Sequence, residues 1–150
     1  MLNARLALVS LCRAGDCLRE TARSIFVATS DGLSGEPLLD AVTDAMVRIH
    51  EHYHGRRPAS AKSLMMGDDL LACVMGDVYT DVEKTLIELQ RSTIVQETRS
   101  AFQTMMQDQF IATIQRLSGR RVLAFISNRH VGPDLEIELF VFAASEEDDT

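Results

Sequence analysis

The chain contains 150 residues, of which 46% are hydrophobic and 25% are charged, a composition typical of one compact globular domain. Its formal net charge is −7, it has no Trp, and only 5% of its residues are aromatic. These features argue against nucleic acid as a partner, because basic side chains supply most of the affinity for phosphate and aromatic side chains stack on bases.

The sequence also argues against membrane insertion and against metal or disulfide chemistry. No stretch approaches the roughly 18 to 20 apolar residues of a membrane span, and charged residues follow the apolar run 6–12 too closely for a signal peptide. Cys12, Cys17 and Cys73 are an odd number, and their spacing suits neither a disulfide framework nor a zinc site. We therefore expect a cytoplasmic protein with free thiols, no cofactor and no direct membrane insertion, in which Cys73 is a small buried hydrophobic residue.

Patterning divides the chain into three segments. Residues 1–35 lack the periodicity of the rest and are interpreted as an accessory N-terminal segment or linker. Two interpretations stay open for this segment, an ordered extra helix on the domain or a translated extension ahead of a domain that begins near Leu33. Residues 36–144 are predicted to form the folded domain, and the mostly acidic residues 145–150 a disordered tail.

The first half of the domain predicts a helix followed by a β-hairpin. Apolar residues recur every three or four positions over 36–54, which indicates a helix with one apolar face, and Gly55 is placed to end it. Strands are predicted over 62–66 and 70–75, joined by a turn at 67–69. The second strand is apolar on both faces, which suits a central position in a sheet.

The second half begins with a helix start signal. Thr80 and Glu83 have the spacing of a capping box, so a short helix is predicted over about 81–91. A long helix then follows and ends at Gly119. Its predicted inward stripe consists of Phe102, Met105, Met106, Phe110, Ile114 and Leu117.

A second hairpin closes the domain, with strands over 121–127 and 135–141. The residues of the final strand alternate, with Leu135, Ile137, Leu139 and Val141 on one face and Glu136 and Glu138 at the start of the other. This alternation predicts a half-buried antiparallel strand.

The two halves share one order of elements, in which a helix is followed by Gly-Arg-Arg, at 55–57 or 119–121, and then by a hairpin. Two such α-β-β units predict an α+β fold, with a four-stranded antiparallel sheet and helices packed on one face.

From about residue 38 to residue 143, the sequence resembles the MpsC-like domain family, which is named for a sodium-translocating, membrane potential-generating system of bacteria. The matching segments are His50–Pro58, Ala61-Lys62, Gly76–Leu86, Arg99, Gly119–Val122 and Val141-Phe142. The resemblance implies association with a membrane ion or bicarbonate system, and it brings no established catalytic residues. The family has a second glycine where this chain has Arg57, so Arg57 would be strained if that position needs a positive φ.

Four basic residues are candidates for an anion-binding site, Arg56, Arg57, Lys62 and Arg99. The planar guanidinium group suits carboxylate, phosphate or bicarbonate, and the site would form if Arg99 faced the Gly-Arg-Arg turn. The alternative is that these residues form ordinary salt bridges. The acidic residues available for such bridges are Asp68, Asp69, Asp77 and Glu83.

Three further sets of residues receive structural interpretations. His50 and His54 have a spacing that can bind a metal, but with His52 they are interpreted as exposed histidines near a helix end, where the helix dipole favours them. The methionines Met65, Met66, Met75, Met105 and Met106 are interpreted as core residues and not as an adaptable binding surface. Ser127 and His130 are close in sequence without an evident acid to orient them. No catalytic residue is therefore predicted, and no metal ligand is predicted among the histidines.

The sequence therefore predicts a non-enzymatic interaction or regulatory module that binds another protein. The partner is expected to be a second copy, through the sheet or the long helix, and a small anion is a candidate ligand. Contact with a membrane transport complex is what the family resemblance implies. The alternative hypothesis is a small-molecule-binding enzyme subunit that uses the arginine cluster to hold an acidic substrate.

Overall fold

The computed structural model describes residues 32–144. The acidic tail at 145–150, Cys12, Cys17 and almost all of the accessory segment at 1–35 lie outside the described residues, so the predictions for them are not tested. Within the described part, the elements in chain order are α1 (Gly35–His54), β1 (Ser60–Met66), β2 (Leu70–Gly76), α2 (Asp81–Glu88), α3 (Ser92–Ser118), β3 (Val122–His130) and β4 (Leu135–Phe142).

The strands form one antiparallel sheet in the order β1-β2-β4-β3, and side chains from α1 and α3 contact one of its faces. The Thr43 hydroxyl of α1 lies 2.8 Å from the Ser63 hydroxyl of β1, and the Ser127 hydroxyl of β3 lies 3.1 Å from Gln103 Oε1 of α3. The predicted α+β fold is confirmed, including the central position of the second strand.

The helix ends follow the signals in the sequence. The Thr80 hydroxyl accepts from the Glu83 N–H, and the Glu83 carboxylate accepts from the Thr80 N–H, so the predicted capping box begins α2. Gly55 ends α1 and Gly119 ends α3, both in the left-handed conformation that glycine adopts without strain. Arg57 is not among the described residues with positive φ, so the expected strain is absent there.

Alternation along the strands gives the sheet two different faces. The covered face, which lies under the helices, carries Ala61, Ser63, Met65, Leu71, Cys73, Met75, Phe125, Ser127, Arg129, Glu136, Glu138, Phe140 and Phe142. The open face carries four residues from each strand, namely Ser60, Lys62, Leu64, Met66, Leu70, Ala72, Val74, Gly76, Ala124, Ile126, Asn128, His130, Leu135, Ile137, Leu139 and Val141. Within residues 32–144, the helices pack against the covered face alone.

The final strand alternates as predicted, but its buried side is the one that carries the acids. Glu136 and Glu138 are fully buried on the covered face, together with Phe140 and Phe142. The aliphatic residues between them face the open side. The two phenylalanines decide the orientation, because they lie on the same side as the acids and contribute large apolar side chains to the core.

The methionine prediction is confirmed only in part. Met75 and Met106 are buried in the core, and Met65 packs against it. Met66 is 41% exposed because it lies on the open face, and Met105 is 66% exposed. Adjacent helical residues are rotated by about 100°, so α3 buries Met106 and turns Met105 towards solvent. Cys73 is buried, as predicted.

Candidate functional site

A buried polar cluster lies between α1, the start of α3 and the covered face, and Arg99 is at its centre. The Arg99 side chain is fully buried, and its guanidinium donates to both carboxylate oxygens of Glu83, at 2.7 and 2.8 Å. It also donates to the Val78 carbonyl at 2.7 Å and to Glu136 at 3.1 Å. The Cζ atom of Arg99 lies 4.8 Å from the centre of the Tyr79 ring. Protein groups therefore surround this guanidinium on all sides.

Glu83 connects the short helix α2 to the cluster. The same carboxylate caps α2 at Thr80 and pairs with Arg99. Burial alone would raise the pKa of Glu83, but the hydrogen bonds from Arg99 and from the Thr80 N–H outweigh it and lower the pKa to about 2. Glu83 is therefore ionised across the physiological range.

Glu136 and Glu138 form a buried carboxyl pair on the covered face of β4. Glu136 Oε2 accepts from Arg99 and from Arg129, at 3.1 and 3.2 Å, and Glu138 Oε1 accepts from Ser127 at 3.0 Å. The remaining oxygens, Glu136 Oε1 and Glu138 Oε2, have no partner other than each other's carboxyl group in the described part of the chain.

A single proton on this carboxyl pair explains why Glu136 Oε1 and Glu138 Oε2 need no other hydrogen-bond partner. Burial, together with the neighbouring charge of Glu136, raises the pKa of Glu138 to about 10. Burial also acts to raise the pKa of Glu136, but the hydrogen bond from Glu138 and the charge of Arg129 outweigh it and hold that pKa below its ordinary value. At neutral pH, Glu138 is therefore protonated and donates to an ionised Glu136.

The histidines contradict the prediction that they are exposed. His50 is fully buried, with Nδ1 3.0 Å from the Arg56 carbonyl oxygen and Nε2 3.4 Å from Arg99 Nη1. Because arginine only donates, Nε2 accepts and Nδ1 carries the proton. His54 is half-buried and packs edge-on against Phe102, with ring centroids 5.5 Å apart, whereas His52 is exposed.

Both inward histidines are neutral at pH 7. Burial, followed by the charge of Arg99, lowers the pKa of His54 to about 4, and burial also lowers the pKa of His50. Residues 32–144 contain no group of three His, Cys, Asp or Glu side chains arranged to bind a metal ion.

The structure does not bring the four candidate anion-binding residues together. Arg99 is buried in the cluster, Arg56 pairs with Asp77, and the exposed Arg57 lies 3.2 Å from the Glu51 carboxylate. Lys62 is exposed on the open face, on the opposite side of the sheet from Arg99. Salt bridges account for the three arginines, and anion binding by any of the four residues stays a prediction.

The environment of Ser127 also differs from expectation. An acid does lie beside it, because its hydroxyl is 3.0 Å from Glu138. Its second contact is Gln103 Oε1 at 3.1 Å, and His130 Nδ1 instead lies 3.0 Å from the Pro133 carbonyl oxygen. Ser127 and His130 therefore do not form a nucleophile and base pair.

Sequence reasoning missed Glu136, Glu138 and His50 as cluster members. A signal was present for the glutamates, because Phe140 and Phe142 continue their side of the strand and mark it as buried. For His50 the signal was its position among apolar residues of the inward face of α1.

The open face is a second candidate site, and it differs chemically from the cluster. It carries no carboxylate, and most of its side chains are aliphatic. At the β3–β4 end it forms a concavity of about 450 Å³, lined by Ile126, Asn128, His130, Pro133, Ile137 and other residues. No helix within residues 32–144 is long and apolar enough to cross a bilayer.

Comparison with known proteins identifies the family. The family model described as Na+-translocating membrane potential-generating system (MpsC) matches residues 36–144, and the chain belongs to this family. No curated protein and no solved structure matches the chain. The resemblance noted in the sequence is thereby confirmed.

Proposed function

We propose that this MpsC family domain is a non-enzymatic interaction or regulatory module that acts with a Na+-translocating membrane-potential system. Family membership supports the association with such a system. The observation that carries the interaction role is the open face, where aliphatic side chains of all four strands lie side by side with no helix of residues 32–144 over them. Contiguous apolar surface of this kind is typical of protein–protein contacts.

The state of the polar residues supports a role without catalysis. Arg99, Glu83 and Glu136 satisfy one another inside the domain, and the two inward histidines are neutral. A catalytic acid or base needs to reach a substrate, and the side chains of Arg99, Glu136 and His50 are fully buried. The cluster is better suited to fixing the positions of α2, α3 and β4.

Purification from native cells tests this proposal. Tagged full-length protein would be isolated in mild detergent and the co-purifying proteins identified, with the tag on an unrelated acidic protein as the control. We expect membrane transport subunits to be recovered with the domain and not with the control. Recovery of the domain alone would contradict the association with a membrane system.

A cytoplasmic location also stays a prediction, which fractionation in the same experiment would check.

The concavity at the β3–β4 end favours a second candidate function, small-molecule binding. Its volume of about 450 Å³ is in the range of ligand pockets, and Asn128 and His130 offer polar groups above the apolar floor formed by Ile137. Thermal-shift measurements with small carboxylates test this function. A saturable shift that is lost in Asn128→Ala would favour the binding of a small molecule, and the absence of any shift would count against it.

A further inference from the structure

We infer that the open face is a homodimer interface, on which a second copy of this chain stacks its own open face. The inference rests on the proposed function, since it names one partner of the interaction module. Two open faces brought together would form an eight-stranded sandwich with a helical layer on each side. Stacked sheets pack about 10 Å apart, which the aliphatic side chains on both faces can fill.

The chemistry of the face suits contact with itself. Each strand places aliphatic residues there, and Leu139 at the centre lies between the small, already buried Ala72 of β2 and Ile126 of β3. Ile126 is 53% exposed and Met66 is 41% exposed, so both would lose apolar surface to a partner. An isologous contact requires a surface that is complementary to itself, and a mostly aliphatic surface without carboxylates is compatible with that condition.

The charge distribution favours the same face. The whole chain carries a formal charge of −7, so two copies repel each other on average. The open face has no carboxylate, and its one formally charged side chain, Lys62, lies on the edge strand β1. Two copies can therefore approach through this face without burying like charges at its centre.

The size of the face sets the expected strength of the dimer. Four strands spaced about 4.8 Å apart, each rising about 3.3 Å per residue, give a footprint of roughly 19 by 23 Å. The face presents four residues from each of the four strands, so its total of 16 residues is somewhat fewer than the roughly 20 to 30 residues per partner of a standard interface. We therefore expect a reversible dimer with a dissociation constant on the order of micromolar.

Sedimentation equilibrium of the full chain tests the inference. Wild-type protein of 16.7 kDa is expected to show twice that mass at high concentration and to dissociate on dilution. Ile126→Glu places a carboxylate at an exposed position of the open face, and we expect it to weaken the dimer at least about tenfold. Met105→Glu makes the same type of change at an exposed position on α3 and should leave the dimer intact.

The sedimentation results distinguish a dimer through the open face from a monomer and from a dimer through another surface. Wild-type protein that stays monomeric at all concentrations would overturn the inference, as would a dimer that Ile126→Glu leaves unchanged. Circular dichroism of both variants checks that they fold, and Ala124→Glu, also exposed on the open face, serves as a second variant if Ile126→Glu does not fold. A confirmed dimer that recovers no transport subunit from cells would contradict the proposed function and leave the interface standing.

Discussion

The covered face of the sheet includes buried carboxylates among its apolar side chains, whereas the open face is mostly aliphatic, and β4 shows the contrast within one strand. Its covered side buries Glu136 and Glu138 beneath the helices, and its open side presents Ile137 and Leu139. A half-covered sheet usually buries its aliphatic residues and leaves its charges in water. The reversal teaches that the covered side is used to position elements and that the open side is suited to a partner.

The covered face tolerates charge because each charged group has an opposite charge or a proton. Arg99 pairs with Glu83 and Glu136, and Glu138 is neutral because it keeps its proton. A buried ion pair need not add stability relative to apolar residues, but removal of one partner leaves a buried charge unpaired. Arg99 links three elements in this way, since its partners lie on α2 and β4.

The largest expected effect comes from removing the centre of the covered face. Arg99→Met leaves Glu83 and Glu136 without their shared partner, and we expect it to lower the free energy of unfolding by about 3–5 kcal/mol. Arg57→Met removes an exposed arginine that pairs with Glu51, so it should cost roughly 0–1 kcal/mol. Urea unfolding of the two variants measures the difference, and equal losses would contradict the central role of Arg99.

A comparison of apolar residues across the two faces gives the next largest difference. Phe140→Ala on the covered face should lower the free energy of unfolding by about 3–5 kcal/mol, because the ring is fully buried and packs at a tilt against Phe125, with ring centroids 5.0 Å apart. Ile126→Ala on the open face should cost about 1 kcal/mol or less, when it is measured at concentrations where the protein is monomeric. A large loss at Ile126 under those conditions would contradict the assignment of this residue to an uncovered face.

Replacement of each buried glutamate by glutamine should change the free energy of unfolding differently at Glu136 and at Glu138. Glu136→Gln weakens the hydrogen bonds from Arg99 and Arg129, so we expect a loss of about 2–3 kcal/mol at pH 7. Glu138→Gln replaces a protonated carboxyl with a neutral amide that can still donate to Glu136 and that needs no proton uptake on folding, so at pH 7 it should stabilise the protein and not destabilise it. Urea unfolding at pH 7 compares the two variants, and the reverse order would show that the proton lies on Glu136.

The pH dependence of stability gives the most specific signal. The pKa of Glu138 is about 10 in the folded protein against 4.5 ordinarily, so its stabilising contribution is complete below pH 4.5 and is lost as the pH rises towards 10. The pKa of His54 is about 4 against 6.5, so its contribution is present above pH 6.5 and is lost as the pH falls towards 4.

Measurements of the free energy of unfolding between pH 7 and 9 separate the titration of Glu138 from that of His54. The wild-type free energy of unfolding should fall over this range by up to about 1.4 kcal/mol per pH unit, and Glu138→Gln should flatten the fall. Identical slopes in the wild type and the variant would contradict protonation of Glu138.

Most of the fold could be predicted because its signals are local. The capping box at Thr80, the glycines after α1 and α3, and the strand alternation are read from neighbouring residues. Which face of β4 is covered depends on how the helices pack, and only Phe140 and Phe142 indicated it in the sequence.

The candidate site was less predictable because its members come from distant segments. His50 and Arg99 are 49 positions apart, and Arg99 and Glu136 are 37 apart. A basic residue on a helix is usually exposed, so nothing local showed that Arg99 is buried. The pairing of Arg99 with Glu83 was among the alternatives, since the two residues were named as possible partners in a salt bridge.

Methyl NMR of the full chain at two concentrations, on the order of 10 μM and 500 μM, tests the contact role of the open face most directly. Ile126 and Ile137 report on the open face, whereas Ile49 and Ile114 report on the core. We predict that the signals of Ile126 and Ile137 shift with concentration and that those of Ile49 and Ile114 stay in place. Open-face signals that do not change while the protein self-associates, or that do not change at any concentration, would contradict the account.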